Sequence, residues 1–307
     1  MTRFIIVRLL QTLISLFLII LLVFFLIRVS GNPADFMVTP ITTKEAHQRL
    51  IESFGLDKPV STQLGIYLKG VVTGNFGNSY VKRIPVTEVI GNALPNTLKI
   101  GIPSFIIGYV VAILLGVLAA VKRNSIWDNG VKFLALLGQA LPPFWVGIMA
   151  MLVFSLYWRI LPSGGLNSPQ SYILPVGTML FFFLPGMMRL MRSTMLDVLD
   201  SEYVKLARIK GLKESTVILK HAMRNAIITP LTIGGLMLAG IVGGSLITEN
   251  IFVIPGMGQL MVNSTFGRDF PVVQAIGIIV AVLVLGANFL VDIAYAWVDP
   301  QIRFERT

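Results

Sequence analysis

At 307 residues, with 55% hydrophobic and only 13% charged side chains, the chain carries more apolar surface than one soluble domain of that size can bury. Its formal net charge of +10 does not point to nucleic acid, because the basic residues lie in loops between apolar runs, without an aromatic and basic patch. With no cysteine, disulfides, thiol nucleophiles and cysteine-held zinc or iron-sulfur centres are excluded.

The segment Leu9 to Ile27 has no charged residue and matches the roughly 20 residues that cross a hydrocarbon core, so a first span is predicted over 9–27. Arg3 and Arg8 before it look like the basic start of a secretory signal. The apolar run is longer than the ~7–15 residues of a signal core, however, and no small-residue cleavage site follows in Arg28 to Pro33, so this helix is expected to be retained. Residues 32–96 form the one long polar region. A helical piece from Thr43 to Phe54, ended by Gly55, is followed by Asp57-Lys58-Pro59, Gly74-Asn75-Phe76-Gly77 and Ile84-Pro85-Val86. Such short elements make a cap on a membrane domain, not an independent core.

Further charge-free runs at 100–121, 133–158, 172–188, 226–248 and 271–291 complete six predicted spans in a single all-α membrane domain over 1–307. Pro142-Pro143 and Pro185-Gly186 should kink or interrupt their spans, since proline removes a backbone donor and strains the preceding turn. Lysine and arginine set the orientation. With the N-terminus in the cytosol, the inner segments hold Arg3, Arg8, Lys122, Arg123, Lys132, Arg189, Arg192, the cluster from Lys205 to Arg224, Arg303 and Arg306, against Arg159 and Arg268 in the short outer loops. Both termini are thus expected inside.

Between the fourth and fifth runs lies a basic cytosolic stretch, 193–225. Leu196, Leu199, Tyr203 and Leu206 recur at helical spacing and predict one apolar face, with Lys205 and Arg208 directed elsewhere. Gly211 is expected to end that helix in a left-handed turn. Ser215 is expected to cap a second helix with the stripe Leu219, Met223 and Ala226. The predicted product is an elbow on the membrane surface. It either lies on anionic lipid or docks into a groove of another protein, with Tyr203, Leu206 and Ala207 as apolar anchors.

Catalytic chemistry is not visible within the spans. An ionised group at mid-bilayer costs about 2.5–3.5 kcal/mol on insertion scales, and no convergent polar set is found there. Gly243-Gly244-Ser245-Leu246 fits a loose Gly-x-Ser pattern, but the two histidines, His47 and His221, lie outside the spans, so Gly240, Gly243 and Gly244 read as close-packing glycines. The pair Asn288 and Asp292 is weighed as a coupling-ion ligand and set aside, because Asp292 is close to the cytosolic interface. No Gly-x-x-x-x-Gly-Lys-Ser/Thr loop is present to cradle a nucleotide. An intramembrane enzyme and a self-contained secondary transporter, which would show internal symmetry and buried charges, are the rival classes.

The run Glu202 to Leu212, with His221-Ala222-Met223-Arg224-Asn225-Ala226 after it, resembles the coupling-loop motif of ABC importer permeases, in the branch that serves dipeptides, oligopeptides, glutathione and nickel. The likeness extends through Gly55 to Pro59, Gly74 to Gly77, Ala119 to Arg123, Thr248 to Phe252, Pro255-Gly256-Met257-Gly258, Asp269 to Val273, and Val291-Asp292 to Arg303. Asn75, Leu206 and Ile209 depart from the family pattern, which has an acidic residue, a threonine and an alanine there.

The resemblance implies a type I ABC importer permease in the bacterial inner membrane, with no catalytic residue, cofactor or metal of its own. ATP and magnesium would sit on two cytosolic ATPase subunits. A second homologous permease, an extracytoplasmic solute-binding protein and membrane lipids are the other implied partners, and peptides or a nickel chelate the implied cargo. Glu202, Tyr203, Leu206, Ala207, Arg208 and Gly211 would make the contact to the ATPase, and Glu249, Pro255, Gly256 and Gly258 would lie near an external gate.

Overall fold

The computed structural model describes residues 2–29, 34, 43–53 and 55–298. Asn32, Pro33, the stretch from Asp35 to Pro40, Phe54, and the motif residues Pro300, Gln301, Ile302 and Arg303, with Arg306, lie outside the described residues. Among the described residues the architecture is all helical, with one isolated bridge between Asn78 and Pro85. Helix α1 covers Thr2–Val29 and packs along the last helix, α14, Phe270–Val298. Arg8 of α1 meets Asp292 of α14 at 3.0 Å, so the carboxylate weighed as an ion ligand is held in an ion pair.

Two short helices follow, α2 (Lys44–Ser53) and α3 (Val60–Thr73). Gly55 and Gly74 stand past their ends at φ +64° and +71°, the left-handed turns that glycine makes without steric cost. The centre is α4, Val86–Val121, whose 36 residues extend about 54 Å at 1.5 Å per residue. It starts well before the expected span and takes up the end of the polar region. Its most extensive neighbour is α7, Ile173–Leu199, and small residues bring the two together: a Cβ on Gly116 would lie 2.7 Å from the Met191 Cβ.

Among the described residues, four helical stretches are long and apolar enough to cross a membrane, at Arg3–Val29, Val86–Val121, Pro169–Leu199 and Phe270–Ile293. A fifth candidate is a bent pair: α5, Ile126–Ala140, meets α6, Pro143–Ala150, and its π-helical continuation Met151–Tyr157 at 100°. The bend is where the sequence predicts it. Leu141 and Pro142 each precede a proline, which disfavours the α conformation, and both are extended, with ψ 128° and 135°.

Pro185, by contrast, leaves α7 unbroken, so of the expected kink or interruption the interruption does not occur. Its ring lies against the backbone of Gly138, in the space a side chain there would fill. The run at 226–248 divides at Gly240 into two shorter helices, Ile228–Ala239 and Ile241–Ile251. Among the described residues nothing lies within 4 Å of a Cβ built on Gly243, so none of them shows the close packing read there from the sequence.

Candidate functional site

The elbow differs in detail from the single face expected. α7 stops at Leu199, Asp200 and Ser201 turn the chain, and Ser201 is extended, with ψ 151° and its hydroxyl donating to the Val198 carbonyl at 2.6 Å. Helix α8, Glu202–Ile209, then starts in a new direction. Leu196 and Leu199 therefore belong to one helix, and Tyr203 and Leu206 to another. The face that α8 turns inward is Val204 and Ala207, three residues apart and buried. Ala207 is not an outward anchor as the sequence reading had it. Its small side chain belongs to the chain's own core, in one cluster with Ala120 of α4, Met191, Met195 and Leu199 of α7, and Val217, Ala222 and Ala226 beyond the turn.

Gly211 makes the turn as expected. Its φ is +76°, its N–H donates to the Arg208 carbonyl at 2.9 Å, and the Leu212 N–H reaches the Ala207 carbonyl at 3.4 Å, the paired bonds of a Schellman cap. No atom lies within 4 Å of a Cβ built there, so only backbone conformation restricts the position. The next helix, α9, begins at Glu214 after Lys213, so Ser215 lies inside it and is not its cap. α9 covers Glu214–Thr216 and continues as a π-helical turn, Val217–Ala222, into α10, Met223–Ala226. Val217, Ala222 and Ala226 are buried, whereas Leu219, expected in the apolar stripe, is 62% exposed.

Polar contacts bind the two arms. The Arg208 guanidinium donates through Nη2 to Glu214 Oε1 at 2.8 Å and through Nε to Oε2 at 3.2 Å, a fork across the glycine turn that holds the Glu214 carboxyl below the usual carboxylate range. Asn225 Nδ2 donates to the Tyr203 hydroxyl at 2.7 Å. Glu202 pairs with Lys205 at 2.7 Å on the exposed rim. Tyr203, Leu206, Ile209, Leu212 and Leu219 remain exposed, an apolar outer surface on a rigid base.

At the opposite end of α4 the residues read as gate candidates form a closed polar lock. Glu249, near the end of α12 (Ile241–Ile251), is fully buried. Thr97 of α4 donates its hydroxyl to Glu249 Oε1 at 2.6 Å, and the Gln259 N–H of α13 (Met257–Phe266) donates to Oε2 at 2.9 Å. The Met257 N–H in turn donates to the Thr97 oxygen at 2.8 Å. The carboxylate thus accepts one orphan amide at a helix N-terminus, where partial positive charge favours it, and Thr97 accepts another.

Glycines make room for this lock. A Cβ on Gly256 would come within 2.5 Å of both Glu249 oxygens, and one on Gly258 would strike the Leu246 backbone. Asn96 donates to the Pro255 carbonyl at 3.0 Å, which joins the same loop to α4. Val253 has φ +52°, costly for a β-branched residue, between the buried Phe252 and Ile254 that hold it there.

Sequence reasoning missed three features. Thr97 as the partner of Glu249 lies 152 positions away, with no local signal. Asp269, also buried, accepts from the Ser79 hydroxyl and from the Tyr80 N–H at 2.8 Å, tying the polar region to the start of α14. Asp128 is fully buried beside Arg192, and here a signal existed: Ser125-x-x-Asp128 before an apolar run is a helix-start signature, and the Ser125 oxygen accepts the Asp128 N–H.

Among the described residues the architecture is all helical, with several helices long and apolar enough to cross a membrane and a folded elbow after α7. The chain belongs to the family of binding-protein-dependent transport system inner membrane components: that family model matches residues 112–304, and the model for its N-terminal region matches residues 1–101. It is similar to the oligopeptide transport system permease protein AppB of Bacillus subtilis, 39% identical over 89% of this chain and 90% of the relative. The oligopeptide permease OppB of Haemophilus influenzae and the glutathione permease GsiC of Salmonella choleraesuis are each 36% identical over 99% of this chain and 100% of the relative.

Proposed function

We propose that this chain is one pore-forming permease of an ATP-driven importer for di- or oligopeptides or related small solutes, delivered by an extracytoplasmic binding protein. In this reading the bent α5 and α6 pair and the divided α11 (Ile228–Ala239) and α12 pair complete six spans, with both termini and the elbow in the cytosol. The full-length similarity to peptide and glutathione permeases supports the cargo class and does not favour nickel.

The observation that carries the mechanism is the elbow: two short arms share one buried core, are clasped by Arg208 and Glu214, and present Tyr203, Leu206, Ile209 and Leu212 outward. Such a unit can follow a docked partner as a rigid body. Two cytosolic subunits would bind ATP and magnesium, close on one another, and through this contact and its equivalent on a second homologous permease shift the spans from inward-open to outward-open. The shift requires that the nucleotide states grip the elbow differently, because only differential binding moves an equilibrium. At the outer end the Glu249 lock and the loop through Pro255, Gly256 and Gly258 would form part of the gate.

Reconstitution tests the reading. Vesicles holding both permeases and the ATPases should concentrate a dipeptide when ATP and binding protein are supplied. Accumulation by this polypeptide alone would overturn it. Titration calorimetry of the binding protein with di- to pentapeptides and with nickel-histidine decides the cargo.

A further inference from the structure

The one fully buried carboxylate among the described residues at the elbow end has no part in the reading above. Asp128 stands in the first turn of α5 with no exposed surface. Its Oδ1 accepts Arg192 Nε at 2.5 Å, and its Oδ2 accepts Arg192 Nη2 at 3.0 Å, the Lys132 ammonium at 2.8 Å and the Asn124 backbone N–H at 3.0 Å. Asn124 is held at φ +61° in the turn between α4 and α5. A single carboxylate thus gathers donors from that turn, from its own helix and from α7.

The place of Arg192 gives this hub its consequence. It lies between Met191 and Met195, which are completely buried and share one core cluster with Val204 and Ala207, so that they belong to the floor under the elbow. Farther along the same pair of helices, Arg189 Nη1 donates to Gln139 Oε1 at 3.0 Å, and Pro185 meets Gly138. α7 is therefore fastened to α5 at successive levels, and the level nearest the elbow is the charged one.

We propose that Asp128 is a positioning residue for coupling: by clamping Arg192 it keeps the elbow's floor rigid, so that displacement of the elbow moves α5 and α7 together and is not absorbed at the Met191 and Met195 contact. The proposal rests on the coupling role of the elbow. A purely stabilising ion pair would change how much complex survives; a positioning residue changes how much transport each ATP drives.

The assembled complex in proteoliposomes distinguishes the two. Asp128→Asn retains the shape but replaces one of the two accepting oxygens by an NH2 group, which cannot accept from the donors facing it, and removes the charge. The expected result is ATP hydrolysis near the wild-type rate and a rise in ATP consumed per dipeptide imported of between about two- and thirty-fold, the span by which residues away from the ligands alter coupling. An unchanged ratio, whether or not the rates fall, overturns the proposal. Should Asp128→Asn fail to assemble, Arg192→Lys keeps the charge and loses the fork, and the same ratio decides. Leu206→Asp on the outer face is the control for the elbow itself: wild-type uptake with that variant would sink the coupling reading independently of Asp128.

Discussion

The two ends of α4 are built on opposite principles. At the outer end of the proposed orientation, Glu249 is sealed, its oxygens take donors from two other helices, and Gly256 and Gly258 have no room for a methyl group. At the elbow end the ion pairs Glu202 with Lys205 and Arg208 with Glu214 are solvated, and Gly211 has open space around it. Packing restricts the first region, and backbone conformation and a clasp restrict the second. A close-packed lock changes state only by coming apart, whereas a solvated elbow can be moved as a piece, which suits one to a gate and the other to a handle.

The largest effect that would sharpen this contrast is Gly258→Ala. Its methyl meets backbone, which cannot rotate away, so a loss of about 3 kcal/mol is expected, at the upper end of overpacking costs, read as a lower melting temperature of the detergent-solubilised complex. Glu249→Ala follows, at about 2–3 kcal/mol, because the Thr97 hydroxyl and the Gln259 amide lose their acceptor. Glu249→Gln, which keeps one acceptor oxygen, should cost less, and melting of Glu249→Ala at the wild-type temperature would show that the lock contributes nothing. Gly211→Asp reverses the pattern. It meets no neighbour and costs only about 1 kcal/mol through its left-handed φ, yet it places a charge on the proposed docking surface and should abolish dipeptide uptake while the chain remains inserted. Intact uptake and ATPase copurification with Gly211→Asp would remove the distinction between the ends.

The same contrast explains what the sequence could reveal. Gly211, Gly55 and the Pro142-Pro143 bend were legible because each acts locally: a left-handed turn or a proline restricts its own neighbours whatever surrounds it. The inward face of the elbow was not. Tyr203 and Leu206 have the hydrophobicity of core residues, and only the turn at Ser201 rotates them out and brings Val204 and Ala207 in. Pro185 does not end its helix, and its ring meets the bare backbone of Gly138, a tertiary contact that no local rule reveals. The partners of Glu249 and Asp128 come from residues far along the chain, where periodicity carries no information.

The smallest expected effect probes the clasp. The Arg208 guanidinium depresses the Glu214 carboxyl in the folded chain, so the unfolded chain takes up protons at a higher pH than the folded one. The contribution is therefore fully present above the unfolded glutamate value of about 4.3 and disappears as pH falls through the lower folded value. Both side chains are exposed, so it should amount to no more than about 1 kcal/mol and be screened by salt. A double-mutant cycle with Arg208→Gln and Glu214→Gln, read from melting temperatures, should give a coupling at pH 7 that vanishes under acid conditions and shrinks in 1 M salt. Asp128, which has no exposed surface, and the mostly buried Arg192 should keep more of theirs in the same salt. If the exposed clasp instead resists salt as the buried pair does, the elbow is no solvated handle, and the division between the two ends of α4 fails at the point where it is easiest to measure.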